Sequence, residues 1–260
     1  MLLALACLCI TTDAARAEDV TVGLRLVPPY VIERPDGSLG GLEFELVREV
    51  LSRAGHRLVP KLLPFGRLAE DFRRGALPAF TPASATMDLP GCLTDVSLIY
   101  QNIGLSLRER NLEVGNVQQL RGLRLLAFQN ARAVLTGLSD AVEGNADYAE
   151  VANQVLQVRG LFSGRADMIL GERRIFHALI TAPATGIEQD KPLREHILFP
   201  PTLYRVAFTE PNLCADFNRA LAMLRANGDY DRLVERYDPS PQATNGRQRG
   251  ELPRRLPSRG

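Results

Sequence analysis

The chain has 260 residues, 45% of them apolar and none of them tryptophan. That is enough for one large domain or two smaller ones, each with its own core. Its 31 basic and 30 acidic residues leave a net charge of +1, which gives no electrostatic footprint for nucleic acid or an acidic partner.

The first residues read MLLALACLCITTDAARAED. The apolar run from Leu2 to Ile10, followed by Ala15-Arg16-Ala17, has the pattern of a secretory signal cleaved after Ala17. A basic first segment is missing, and an N-terminal strand or tail is the alternative. The run is too short to span a bilayer, and no other stretch is long and apolar enough to do so. The expected mature protein is therefore soluble and exported. Removing the signal leaves Cys92 and Cys214, which are either a disulfide formed in an oxidising compartment or two buried thiols. His56, His177 and His196 are scattered and there is no CxxC, so no metal site is expected.

DVTVGLRLV alternates Val20, Val22, Leu24 and Leu26 with Thr21, Gly23, Arg25 and Val27, which is strand periodicity ending at Pro28-Pro29. ERPDGSLGG is a turn. LEFELVREVLSRAG then sets Leu42, Leu46, Val47, Val50 and Ala54 on one helical face, with Gly55 as its stop. HRLVPKLLP reads as a strand in which Pro60 argues for an edge or a bulge. GRLAEDFRRG is a short helix ended by Gly75. This alternation predicts a mostly parallel sheet flanked by helices. ALPAFTPASATMDLPG reads as a loop, and extended chain resumes through TDVSLIYQNIGLSL.

A second α/β block follows. Leu123 to Phe128 reads as a strand, and YAEVANQVLQVRGLFSG as a helix with Val151, Val155, Val158 and Phe162 on one face. GRADMILGE is a short apolar strand ending in a glycine and Glu172, and RRIFHALI is a helix. Tyr204 to Phe208 is a late strand, PNLCADFNRALAMLRANG a helix between Pro211 and Gly228, and YDRLVERY a last helix. From Asp238 the chain is rich in Pro, Gly and Arg, which predicts a disordered basic tail over 238–260.

These stretches resemble a known family. PPYVIERPDGSLGGLEFELVREV, PFGRLAEDFRRG, VQQLRGLRLLAFQN, GRADMILGE and FNRALAMLRANGDYDRLVERY are similar, in order, to five motifs of the bacterial periplasmic solute-binding proteins of family 3. These are the amino-acid-type substrate-binding proteins of ABC transporters, with the type II periplasmic binding fold. The resemblance runs from about Val20 to Tyr237. It implies an α/β fold of two lobes, each a mostly parallel sheet flanked by helices, joined by two chain crossings at a hinge. Lobe one would be residues 18–102 plus 204–237 and lobe two 103–203, after a signal at 1–17. Strand ends and helix N-termini would then line a cleft that closes on a polar ligand. Both cysteines fall in lobe one on this division, so a Cys92–Cys214 disulfide is predicted.

The resemblance also nominates ligand-binding residues. Glu172 matches the acid that takes a ligand's ammonium group. On the residues alone it is equally a helix N-terminal carboxylate, while Asp167 is structural. Tyr30 and Phe65 match aromatic positions that sandwich the ligand, and each is also a core candidate. Ser84 and Thr86 offer hydroxyls. Gln129 and Asn130, between a strand and a helix, would meet an anion with amides and backbone N–H groups. Tyr100 lies by the first crossing, where it serves ligand or hinge. Two departures stand out. In SATMDL, Leu89 occupies the place of the carboxylate-binding arginine, and leucine cannot replace a bidentate guanidinium. This predicts weak binding of ordinary neutral amino acids. In strand one, Arg25 stands where an aspartate is usual, and it either captures an anionic group from another angle or is a surface arginine.

No GxSxG, HExxH, P-loop or GxGxxG is present, and Glu43 and Glu45 point roughly 200° apart on a helix. The reading is therefore a periplasmic, monomeric, cofactor-free binding protein rather than an enzyme. It would deliver an amino acid or similar small polar solute to the membrane permease of an ABC importer. A ligand sensor of the same fold that engages a membrane partner is the alternative, and a small periplasmic lyase a weaker one.

Overall fold

A computed structural model describes residues 17–182, 186 and 191–238. The signal read at the N-terminus and the tail read after Asp238 lie outside the described residues, apart from Ala17 and Asp238 themselves.

The chain begins with β1 (Glu18–Leu24), then a two-stranded hairpin of β2 (Ile32–Glu33) and β3 (Leu39–Gly40) leads into α1 (Leu42–Arg53). The N-terminus of α1 docks on the loop before it: Leu42 N donates to Pro29 O and Glu43 N to Tyr30 O, at 3.0 and 2.9 Å. Gly41 makes this approach possible. Its φ is +102°, and a Cβ there would stand 2.5 Å from the Tyr30 carbonyl oxygen. Leu42, Leu46, Val47 and Val50 are buried, as their helical spacing predicts.

β4 (His56–Leu62) pairs in parallel with β1 as the outermost strand of its sheet, where Pro60 needs no donor on its open side. α2 (Phe65–Arg73) follows, and then β5 (Ala79–Ala83), fully buried between β1 and the late strand β13 (Thr202–Phe208). The loop expected at ALPAFTPASATMDLPG is thus a central strand over half of its apolar part. Pro82 falls inside the break in register between Arg205 and Ala207, so the ladder loses no bond to it. β6 (Cys92–Leu93) and β7 (Leu98–Tyr100) also pair with β13, antiparallel.

At Gln101 the chain passes to a second sheet, ordered β10-β9-β11-β8-β12. Its strands are β8 (Asn102–Leu107), β9 (Leu125–Phe128), β10 (Tyr148–Val151), β11 (Met168–Glu172) and β12 (Leu193–His196). Between them run α3 (Ala131–Val134), α4 (Leu138–Ala141), α5 (Gln154–Phe162) and α6 (Arg173–Thr181). The helix expected from Tyr148 onward begins only at Gln154. Tyr148 to Val151 is a strand, and Asn153 caps the helix by accepting from Val155 N at 3.0 Å. α7 (Pro211–Ala226) and α8 (Asp229–Glu235) pack back on the first sheet.

The parallel pairs are β1 with β4 and β5, and β9 with β10 and β11. The strands that leave and re-enter at the crossings add antiparallel partners, so both sheets are mixed. The two crossings lie side by side. The Gln101 amide donates to Phe199 O at 3.1 Å, and Asn102 Nδ2 to Thr202 Oγ1 at 3.0 Å. Cys92 and Cys214 form the expected disulfide, with Cα atoms 6.4 Å apart, and tie β6 to α7. Among the described residues no helix is long and apolar enough to cross a membrane.

Candidate functional site

The crossings, the end of β1 and the end of β11 meet around two adjoining spaces. The inner one, about 20 Å³, is lined by Arg25, Phe65, Tyr100, Asn102, Glu172 and Tyr204 among others. The outer one, about 560 Å³, shares Phe65 and Tyr204 with it and extends to Ser84, Thr86, Asn130 and the second crossing. Both therefore lie between the two sheets.

Arg25 follows the last residue of β1. Its guanidinium carbon stands 5.2 Å from the centre of the Phe65 ring, and its Nε is buried without a hydrogen-bond partner. Phe65 opens α2 directly after Pro64, which fixes its ring at the junction of the two spaces. Opposite, Glu172 ends β11 and begins α6, and is only 3% exposed. One carboxylate oxygen, Oε2, accepts from Ile175 N at 3.0 Å, while Oε1 is buried with no partner. Burial raises its pKa, against the pull of the Arg174 charge. Of the two roles weighed for Glu172, the helix cap is present in Oε2, and Oε1 is left without a hydrogen-bond partner in a residue that lines the inner space.

The remaining nominated residues are placed differently. Ser84 and Thr86 line the outer space, with their hydroxyls 2.6 Å apart, and Ser84 Oγ caps the turn by accepting from Thr86 N. Tyr30 lines neither space. It is fully buried and stacked on Tyr100 with ring centres 4.1 Å apart, so the ring that borders the inner space is Tyr100. Burial first, and the Glu172 charge second, push the Tyr30 hydroxyl well above its ordinary pKa. Asn130 borders the outer space, and Gln129 is exposed and lines neither. Their backbone cannot receive an anion as expected, because Glu150 already occupies it: its carboxylate accepts from Asn130 N at 2.7 Å and Arg132 N at 3.0 Å. Leu89 packs with the apolar cluster of Leu68 and Phe72 and contributes no polar group. Asp167 is structural, held by Arg110, Arg124 and the Arg124 backbone N–H.

Three further residues stand at or behind the cleft, and of these only Glu43, on the apolar face of α1 with Leu46, Val47 and Val50, carries a signal in the sequence. Arg73, in the last turn of α2, borders the outer space and donates to the carbonyls of Met87 and Asp88. Tyr204 enters from β13 and meets Tyr100 edge-on at 4.6 Å. Glu43 points inward from α1, where Oε1 accepts the Thr81 hydroxyl at 2.6 Å and Oε2 has no partner. Burial pushes its carboxyl up to about 7. Glu45, two residues on, points the other way to Arg34 and Tyr237, as the helical angle requires. The histidines are engaged elsewhere: His177 with Glu195, His196 with Ser106, and His56 with Asp216. Among the described residues no group of His, Cys, Asp and Glu has the arrangement of a metal site. A larger groove of about 820 Å³ between α1 and α8 is lined mainly by charged side chains paired with one another, such as Arg53 with Asp229.

No family model and no curated protein matches this chain. Solved structures do. A histidine kinase sensor domain with similarity to periplasmic binding proteins aligns with a TM-score of 0.71 at 18% identity, over 85% of this chain and 96% of the other. An ancestral arginine-binding protein bound to arginine aligns at 0.70 and 16%, over 85% and 99%. The arginine-, lysine-, histidine-binding protein ArtJ of Geobacillus stearothermophilus aligns at 0.66 and 16%, over 86% and 98%. The likeness, which includes amino-acid ABC transporter substrate-binding proteins, covers nearly the whole of each neighbour, and this chain has the two-lobed type II periplasmic-binding-protein fold.

Proposed function

We propose that this protein is an exported binding protein that holds a small polar solute, an amino acid or a molecule of similar size, between two lobes. The lobes divide at the crossings, residues 18–101 with 202–237 forming one and 102–201 the other, one to two residues from the bounds expected from the sequence. The observation that carries this reading is the pairing across the inner space. Arg25 arrives from the first sheet and Glu172 from the second, and each keeps one buried polar atom without a partner. Orphaned buried polar groups are costly, and a bound solute relieves both at once. The site residues of this proposal are Arg25, Phe65, Ser84, Thr86, Asn130 and Glu172, with Tyr100 and Tyr204 as walls and Tyr30 behind them.

The reading is tested by a thermal-shift screen over amino acids, organic acids, polyamines and sugars. A solute present at a hundredfold excess over its Kd adds about 2.7 kcal/mol to stability, an unmistakable rise in melting temperature. Ordinary neutral amino acids are expected at the weak end of the range, because position 89 offers them no guanidinium. If no solute in the panel shifts the melt, the reading fails. Delivery to an importer's permease is the role we assign. The likeness to a sensor domain favours a second reading, in which the closed form is presented to a membrane receptor. An adjacent permease gene supports the first, and an adjacent sensor kinase or cyclase gene the second.

A further inference from the structure

Behind the inner space lies a carboxyl group that the reading above leaves without a task. Glu43, in the first turn of α1, is 1% exposed. The titratable and charged groups that face it are Arg25 after β1, Tyr100 on β7 and Tyr204 on β13. Tyr30 and Glu172 stand one contact further off, acting on Tyr100 and Tyr204 respectively. Arg25 is the cation of this group, and its Nε has no partner. The Tyr100 hydroxyl, on the wall of the same space, is also buried and unpartnered.

We infer that the inner cleft binds an anionic group of its ligand, a carboxylate or similar oxyanion, on Arg25, and that Glu43 takes up a proton as the anion enters. The inference rests on the solute-binding reading. Arg25 and the Tyr100 hydroxyl are donors, and donors that lack acceptors call for an oxygen-rich group. The inner space of about 20 Å³ admits only a small head group, and the adjoining 560 Å³ takes the body of the ligand. When the cleft is empty, an ionised Glu43 balances Arg25. An entering anion places a second negative charge near the same guanidinium in a space shielded from water, which favours the neutral acid. Little stands in the way of that proton, since burial already brings Glu43 to about 7.

The test is calorimetric titration of the full chain with acetate, succinate and glutarate, each against its uncharged amide. It is run at pH 6 and pH 8, in buffers of different ionisation heat. An acid is expected to bind and its amide not to. The protonated fraction of a group titrating at about 7 falls about tenfold between these pH values, so Kd weakens about tenfold. Proton uptake at pH 8 approaches one per anion. Glu43→Gln binds at pH 8 as tightly as the unaltered protein does at pH 6 and takes up no proton, whereas Arg25→Gln loses the acid at both. Acid binding with the same Kd at both pH values and no proton exchange overturns the inference. So does a protein that ignores every acid while another solute raises its melting temperature, a result that leaves the solute-binding reading intact. If neither acids nor any other solute bind, both fall together.

Discussion

Replacing Glu172 separates two roles that sequence reasoning treated as exclusive. Glu172→Gln keeps an amide oxygen that can accept from Ile175 N, now 3.0 Å from Oε2, and removes the charge. Glu172→Ala removes both. The folded-state pKa of this carboxyl is raised by burial. A carboxyl raised in this way contributes less to stability as pH climbs from its unfolded value through its folded one, so deleting the charge at neutral pH is not destabilising. The empty Gln variant should therefore melt within about 1 kcal/mol of the unaltered protein. The Ala variant should lose about 1–2 kcal/mol, the range for an N-cap, plus the cost of the vacated volume. For a ligand whose cationic or donor group meets Oε1, the Gln variant should bind about 2–4 kcal/mol more weakly, roughly 30- to 800-fold. Urea melts of the empty proteins and calorimetric titration read the two effects separately. Unchanged affinity in Glu172→Gln would remove this residue from the site, and an equal stability loss in the two variants would refute the division between its oxygens.

The disulfide joins residues 122 positions apart, a loop whose closure entropy corresponds to about 5 kcal/mol, of which about 2–4 is ordinarily realised. Cys92→Ser with Cys214→Ser should lower unfolding free energy by that amount in denaturant, and a loss below about 1 kcal/mol would contradict it. Asp167 is held far below the usual carboxylate range, chiefly by hydrogen bonds from Arg124, with Arg110 assisting. Its contribution is present above the unfolded value near 4 and disappears as pH falls through the folded one. Asp167→Asn should cost about 1–2 kcal/mol at pH 7, reduced by the half-exposed arginines, and progressively less below pH 4. A deficit that persists undiminished at pH 2 would show that the charge is not its source.

How far the sequence discloses this structure depends on what holds each piece. β1, α1 and α7 are long enough for their periodicity to show, and each lies close to its expected place. β6, α3 and α4 are two to four residues long and carry no period at all. β5 is hidden by its proline, which a register break accommodates only once β13 is beside it. Of the candidate site, Arg25, Phe65 and Glu172 are nominated through the family resemblance, and they line the inner space because they stand at the ends of a strand or the start of a helix, where an α/β sheet presents its cleft. Tyr30, nominated in the same way, does not, because it is screened by Tyr100, a ring that comes seventy positions later. The backbone beside Gln129 and Asn130 looks open to an anion until the fold brings in Glu150. Glu43 stands three, four and seven positions before Leu46, Val47 and Val50, on the apolar face of α1, so its inward direction is legible in the spacing, while its partner Thr81 is supplied only by the tertiary fold.

The central claim is that one small solute is gripped from both sheets at once. Hydrogen exchange measured by mass spectrometry, with and without the solute that gives the largest thermal shift, tests it most directly. The account predicts slowed exchange in the start of α2 at Phe65 to Leu68 on the first sheet's side, together with the start of α6 at Arg173 to Ile175 on the second. Protection of one side alone, or protection confined to the charged groove between α1 and α8, would contradict it.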